Sequence, residues 1–320
     1  MTAHSKSPLL VLVGPTAVGK TELSLQLAEE LGTDIISGDS MCLYCGFDIG
    51  SAKPTREERA RVAHHLVDVL AAEATFSVTE FVARVDALVR THAAEGRLPF
   101  VVGGTGLYIK ALVEGYHFNE TSAHASFRRA MEGIARRRGN ARVHAFLAHH
   151  DAAAARRLHI NNLRRVIRAL EVMRYGDERI SQESALMGGE QPYDAFVVGL
   201  MRARAHLYER INARVTAMFA AGLPDEVAGL LAHGVSGDAP AMKGIGYKET
   251  AAYLAGEMSE AEAITAIQTA TRHFAKRQLT WYRRMPYIRW YDADTRTETE
   301  LQRAILSDVY AWQEERSAQA

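Results

Sequence analysis

The stretch Gly14-Pro-Thr-Ala-Val-Gly-Lys-Thr21 constrains the fold of this chain more than any other segment. It satisfies G-x-x-x-x-G-K-[ST], and its flanks are those the motif demands. Before it, Pro8 to Val13 is a short apolar run that reads as a buried strand. After it, Thr21 to Leu31 carries Leu23, Leu27 and Leu31 four apart, an amphipathic helix stopped by Gly32. A strand, a glycine loop and a helix in this order turn backbone N–H groups inward around an anion, and the helix N-terminus adds its positive end. A phosphate or diphosphate is therefore expected on Gly14, Pro15, Thr16, Ala17, Val18, Gly19, Lys20 and Thr21. Lys20 would reach the terminal phosphate and the Thr21 hydroxyl would meet Mg²⁺. A glycine-rich turn without a ligand is the bland alternative.

The rest of the chain extends this start. Asp34 to Ser37 and Pro99 to Val102 read as two further strands, with a helical pattern over Val78 to Ala94 between them. That alternation predicts an α/β fold, a P-loop-type parallel sheet covered by helices. From about residue 120 the pattern changes. Phe127 to Met187 is rich in alanine and arginine, with helical spacing and no strand, and reads as an all-helical insertion. A strand over Tyr193 to Met201 re-enters the sheet. Helices follow over Arg204 to Ala221, Pro224 to His233, Gly246 to Ala255 and Ser259 to Arg284, then a strand over Tyr287 to Tyr291 and a closing helix. The expected domains are a core of 1–120 with 190–320 and an insertion of 121–189.

A composition of 48% hydrophobic and 24% charged residues is that of a globular protein. No window offers the eighteen or so apolar residues of a membrane span, and the start has no signal-peptide layout. Two cysteines cannot make a disulfide framework, so a cytoplasmic location is expected. The net charge of zero argues against a generic polyanion binder, but the charge is unevenly spread. Arg128 to Arg179 holds thirteen arginines and no lysine against five acids. Arg272 to Arg289 holds six basic residues and no acid. Solvated helix faces would account for this; arginine in preference to lysine also suits phosphate contacts and base stacking.

Both cysteines lie in the stretch GDSMCLYCGFDIGSAKP, as Cys42-Leu-Tyr-Cys45. Zinc needs four ligands, which His64 and His65 would have to complete. A redox pair needs a helix N-terminus to lower a thiol pKa, and here the pair follows a strand. Asp39 is the stronger candidate. It falls at the carboxyl end of the second strand, where open α/β sheets bind ligands, as a general base, a metal ligand or simply a turn residue.

The glycine loop alone does not say what is transferred. Phosphoryl transfer needs a strand ending in a metal-holding carboxylate, yet Pro99-Phe-Val-Val-Gly-Gly104 ends in glycines. A small-molecule kinase, a prenyltransferase acting on free adenine nucleotides and a non-catalytic RNA-binding module all remain open at this point.

Several motifs recur together: GPTAVGKT, DSM-C-LY-C-GFDIGSAKP, HHLVDV, VVGGTGLYIKALVEG, RRVIRALEV, GIGYKETAAYLAGEMS and TRHFAKRQLTWYRR. In this order, across about residues 8 to 292, they resemble the tRNA dimethylallyltransferase family. The chain departs from that pattern at Cys42, where the family often has Gln, at Cys45, where a basic residue is usual, and at Asn162, where Asp is common. The resemblance implies transfer of a dimethylallyl group from dimethylallyl diphosphate to N6 of adenine 37, beside the anticodon of tRNAs reading codons that start with U. It implies Mg²⁺ as cofactor, a short bacterial form without a C-terminal zinc finger, and a monomer. The catalytic residues implied are Asp39 as general base, with Lys20, Thr21 and Arg214 on the diphosphate. The tRNA contacts implied are Asp39, Ser40, Met41, Cys42, Thr105, Arg128, Arg164, Arg165, Val166, Ile167, Arg168, Lys243, Gly244, Ile245, Gly246, Tyr247 and Lys248. The arginine-rich insertion would grip the anticodon stem-loop while the target base is extruded from its stack.

Overall fold

The computed structural model describes residues 6–116, 124–176 and 191–319. Six strands form one all-parallel sheet in the order β3-β2-β4-β1-β5-β6. The strands are β1 Ser7–Val13, β2 Ile35–Gly38, β3 His64–His65, β4 Phe100–Gly103, β5 Tyr193–Met201 and β6 Ile288–Asp292. Leu9 to Val13 are all fully buried, as expected for a central parallel strand covered on both faces. β1 lies between β4, with Val13 opposite Gly103, and β5, with Val13 opposite Gly199.

Helices cover both faces. One cluster packs Leu10, Leu12, Leu23, Leu27, Phe196 and Val198 with Ile305 and Trp312 of the closing helix Glu298–Gln319. The other packs Leu9, Val11 and Val101 with Phe81, Ile109, Tyr282 and Met285. Among the described residues no single helix is long and apolar enough to cross a membrane.

The expected elements stand within a residue or two of the observed ones, the usual uncertainty at element ends. Among the described residues four short elements were not anticipated: strand β3, the helix Arg56–Arg61, the helix Gly106–Glu114 and the 3-10 turn Ala241–Lys243. By itself, the sequence at Gly106 is equally a tight turn.

The chain divides into two compact units, 1–113 with 192–320, and 114–191. In the second, the helices Ala125–Arg138, Asn140–His150, Ala152–Arg157 and Leu163–Tyr175 enclose Val143, Leu147, Ala154, Val166 and Leu170. The part of the expected helical stretch over 177–187, and both expected domain boundaries, lie outside the described residues.

Candidate active site

The site in the first unit is built at the carboxyl ends of β1, β2 and β4. Lys20 opens the helix α1, Lys20–Leu31, whose N-cap Gly19 has φ of 111°, a left-handed conformation that favours glycine. Gly14 is held by close approach, since a Cβ there would stand 2.9 Å from the Leu200 carbonyl oxygen. The Lys20 ammonium donates to the Gly14 and Pro15 carbonyls, each at 2.9 Å. Burial brings its pKa down to about 8, with nearby Asp39 pulling it back up and Arg214 pushing it down.

Three of the expected loop donors are corrected. Pro15 has no N–H to give. The Thr16 N–H is already spent on Gln278 Oε1 at 2.9 Å. The Val18 N–H turns back onto the Pro15 carbonyl at 3.4 Å, so the donors left for an anion are those of Ala17 and of Gly19 onward. Arg202 and Arg210 brace this segment, donating to the Val18 and Ala17 carbonyls at 2.8 Å each.

Asp39 follows β2 directly. Its Oδ1 accepts the Met41 N–H at 2.9 Å, while Oδ2 accepts no hydrogen bond from the described residues. Oδ2 faces the glycines after β4: a Cβ on Gly104 would stand 3.0 Å from it. Thr105 closes the same corner, its hydroxyl accepting the Ser40 N–H at 3.0 Å and its own N–H reaching the Gly38 carbonyl. Arg214, half-buried on the helix Arg204–Ala220, completes the group. Burial lowers its pKa and the Asp39 charge opposes that shift, yet its guanidinium makes no hydrogen bond or ion pair with the described residues. The structure thus brings Lys20, Asp39, Thr105 and Arg214 together from sequence-distant segments. A free carboxylate oxygen beside two cations can accept a proton while an anion departs on the cationic side.

The Thr21 hydroxyl is partly exposed and has no partner among the described residues. A lone hydroxyl at a helix N-terminus suits Mg²⁺, which keeps several waters and takes its remaining ligands from phosphates.

Other expected contacts divide by burial. Cys42 is buried, burial pushes its thiol pKa up, and it offers neither thiolate nor polar surface; Cys45 is exposed. Met41 packs on Gly244, where a Cβ would meet its Cε at 2.7 Å. Ser40, Gly244 and Ile245 are partly exposed, while Lys243 and Lys248 are exposed. The expectation for the Tyr247 side chain is corrected: it is fully buried, its hydroxyl donates to Glu226 at 2.8 Å and its ring lies 4.7 Å from Phe47. Gly246 is buried too; with φ of 99° it supplies the turn, its N–H held by Glu249.

In the second unit Arg164 and Arg165 are exposed, but the Val166 and Ile167 side chains lie in that unit's apolar core, which corrects the expectation for both. Arg128 and Arg168 both bind the fully buried Glu171, Arg128 by two bonds of 2.7 and 2.8 Å. Their charge is partly committed inside the unit. Arg129, Arg136, Arg137, Arg138 and Arg142 are exposed as well.

Sequence reasoning missed Gln278, which lies on the helix Glu260–Tyr282. The available signal was a polar residue at helical spacing between buried Ala275 and Tyr282. Trp281 and Tyr282, at the end of the same basic helix, are packed inward: the buried Tyr282 hydroxyl and the indole N–H of Trp281, which lies on Gly106, have no partner among the described residues.

The sequence model of a family described as IPP transferase matches residues 42–285. A tRNA dimethylallyltransferase of Symbiobacterium thermophilum is 48% identical over 287 residues, covering 90% of each chain. The crystal structure of the full-length tRNA isopentenylpyrophosphate transferase from Bacillus halodurans superposes with a TM-score of 0.73 at 38% identity, covering 98% of this chain and 99% of that one. A eukaryotic dimethylallyltransferase, captured acting on tRNA, superposes with a TM-score of 0.75 at 25% identity, over 90% of this chain and 74% of the other.

Proposed function

This chain belongs to the IPP transferase family, and from that premise we propose that it transfers a dimethylallyl group from dimethylallyl diphosphate to N6 of adenine 37 in tRNA. The observation that carries the reading is the open Asp39 Oδ2 lying within electrostatic reach of the uncommitted Arg214 guanidinium and of the Lys20 ammonium beside the glycine loop.

In the reaction the allylic C–O bond breaks, the N6–C bond forms, diphosphate leaves and one N6 proton is lost. The exocyclic amine is a weak nucleophile because its lone pair is delocalised into the ring. Asp39 Oδ2 orients it and takes its proton, with Oδ1 pinned by the Met41 N–H so that the carboxylate does not rotate. The N–H groups of Ala17, Gly19, Lys20 and Thr21, with the Lys20 ammonium and the Arg214 guanidinium, meet the charge that grows on the departing diphosphate. Thr21 would hold Mg²⁺, which supplies further positive charge to the leaving group. Thr105, tied to Ser40, lines the base-accepting side. The exposed arginines of the second unit and Lys243, Lys248, Lys276 and Arg277 supply phosphate contacts. A free nucleotide acceptor would leave the exposed cations of each unit without a purpose.

The test is transfer of labelled dimethylallyl diphosphate into unmodified tRNA with adenine at position 37, read by mass spectrometry of the digested nucleosides. Labelled N6-dimethylallyladenosine that falls at least about 100-fold in Asp39→Ala is the expected result. No transfer to tRNA, with turnover of ATP or a free nucleotide instead, would sink the proposal.

A further inference from the structure

Gln278 is 5% exposed, and its side-chain amide spans two of the loops that form the site. Its Oε1 accepts the Thr16 N–H at 2.9 Å, and its Nε2 donates to the Gly104 carbonyl at 2.8 Å. One partner is a donor and the other an acceptor, so the amide has a single productive orientation. The Gly104 end lies against the base: a Cβ there would stand 2.9 Å from Gln278 Nε2 and 3.0 Å from Asp39 Oδ2. Thr105, the next residue, binds the Ser40 N–H immediately after Asp39. One amide therefore fixes the distance between the loop that takes the diphosphate and the corner that takes the acceptor.

We propose that Gln278 is a positioning residue for the transfer, setting the donor loop in register with Asp39 and Thr105. This rests on the function proposed above. Gln278 touches neither reacting atom; it acts through Thr16 and Gly104. Its removal should leave each substrate's grip largely intact and spoil their relative placement, where an error of about 1 Å costs on the order of 100-fold in rate.

The test compares wild type, Gln278→Met, which keeps the shape and loses both bonds, and Gln278→Glu, which keeps the bond from Thr16 and sets an oxygen against the Gly104 carbonyl. Wild-type transfer is measured first, and its absence counts against the function proposed above rather than against this residue. In Gln278→Met, kcat at saturating dimethylallyl diphosphate and tRNA should fall about 30- to 100-fold, while the Kd for inorganic diphosphate changes less than about threefold. In an Asp39→Asn background the same substitution should cost less than about fivefold, because the group it positions is already lost. The proposal is overturned if kcat is unchanged, if diphosphate binding falls in step with kcat, or if the two losses multiply. Should Gln278→Met fail to fold, Gln278→Glu is read by the same criteria.

Discussion

Gly103 and Gly38 stand opposite each other in adjacent strands, so close that a Cβ on Gly103 would lie 2.6 Å from the Gly38 carbonyl oxygen. The two glycines bring the residues that follow them, Gly104-Thr105 and Asp39-Ser40, within hydrogen-bonding reach of each other. Gly103→Ala should push these strand ends apart, costing about 1–3 kcal/mol of stability and most of the transfer activity. Urea unfolding and the transfer assay check this; retained activity would show that the corner tolerates the displacement.

Lys20 gives a pH signature with two signs. Its pKa of about 8 in the folded chain lies below the ordinary lysine value of 10.5, so the unfolded state binds more protons between the two. Its contribution to folding stability therefore rises with pH across that interval. Bound diphosphate restores the charged form, so affinity should fall as pH climbs through about 8, by up to about tenfold per pH unit. Calorimetry with inorganic diphosphate in buffers of differing ionisation heat, on wild type and Lys20→Met, should show proton uptake above pH 8 only in the wild type.

Glu171 holds the second unit together from inside. Burial alone would raise its carboxyl, but Arg128, Arg168 and the His124 N–H overcome that and hold it at about 2. A depressed carboxyl contributes stability that is present above its unfolded value of about 4.3 and lost as pH falls towards 2. Glu171→Gln should cost about 1–3 kcal/mol at pH 7, the difference from wild type shrinking on acidification. Guanidinium melts at pH 7 and pH 3 would check it; equal stability at pH 7 would deny the pair its role.

The Tyr282 hydroxyl is buried, and the described residues offer it no partner, an arrangement that costs desolvation without return. Tyr282→Phe should leave the melting temperature unchanged or raise it. A loss of more than about 2 kcal/mol would reveal a partner for the hydroxyl.

What the sequence made legible follows from the range of each interaction. The glycine loop, β1 and α1 are written in about two dozen consecutive residues, with local periodicity and a spacing that serves one chemistry. Asp39 was legible because strand ends are where such sheets bind ligands. Gln278 was not, since its partners lie 262 and 174 residues away and an amide within a basic helix carries no local mark. Glu171 was illegible for a related reason: counting charges cannot show which arginines face inward, and two of the cations that suggested an RNA surface answer to one acid. Tyr247 and Val166 show the same limit, because a motif names a segment without saying which of its side chains point out.

The strand order has a consequence for synthesis. β1 and its glycine loop leave the ribosome before the rest of the sheet, but β5, one of the two strands beside β1, follows about 180 residues later, and Gln278 about 80 residues after that. At the pace of translation, roughly 5–20 residues per second, the loop waits on the order of ten seconds or more before β5 and Gln278 exist. Through that interval the nascent chain carries the signature of a phosphate binder without the amide that ties its glycine loop to the Gly104 corner.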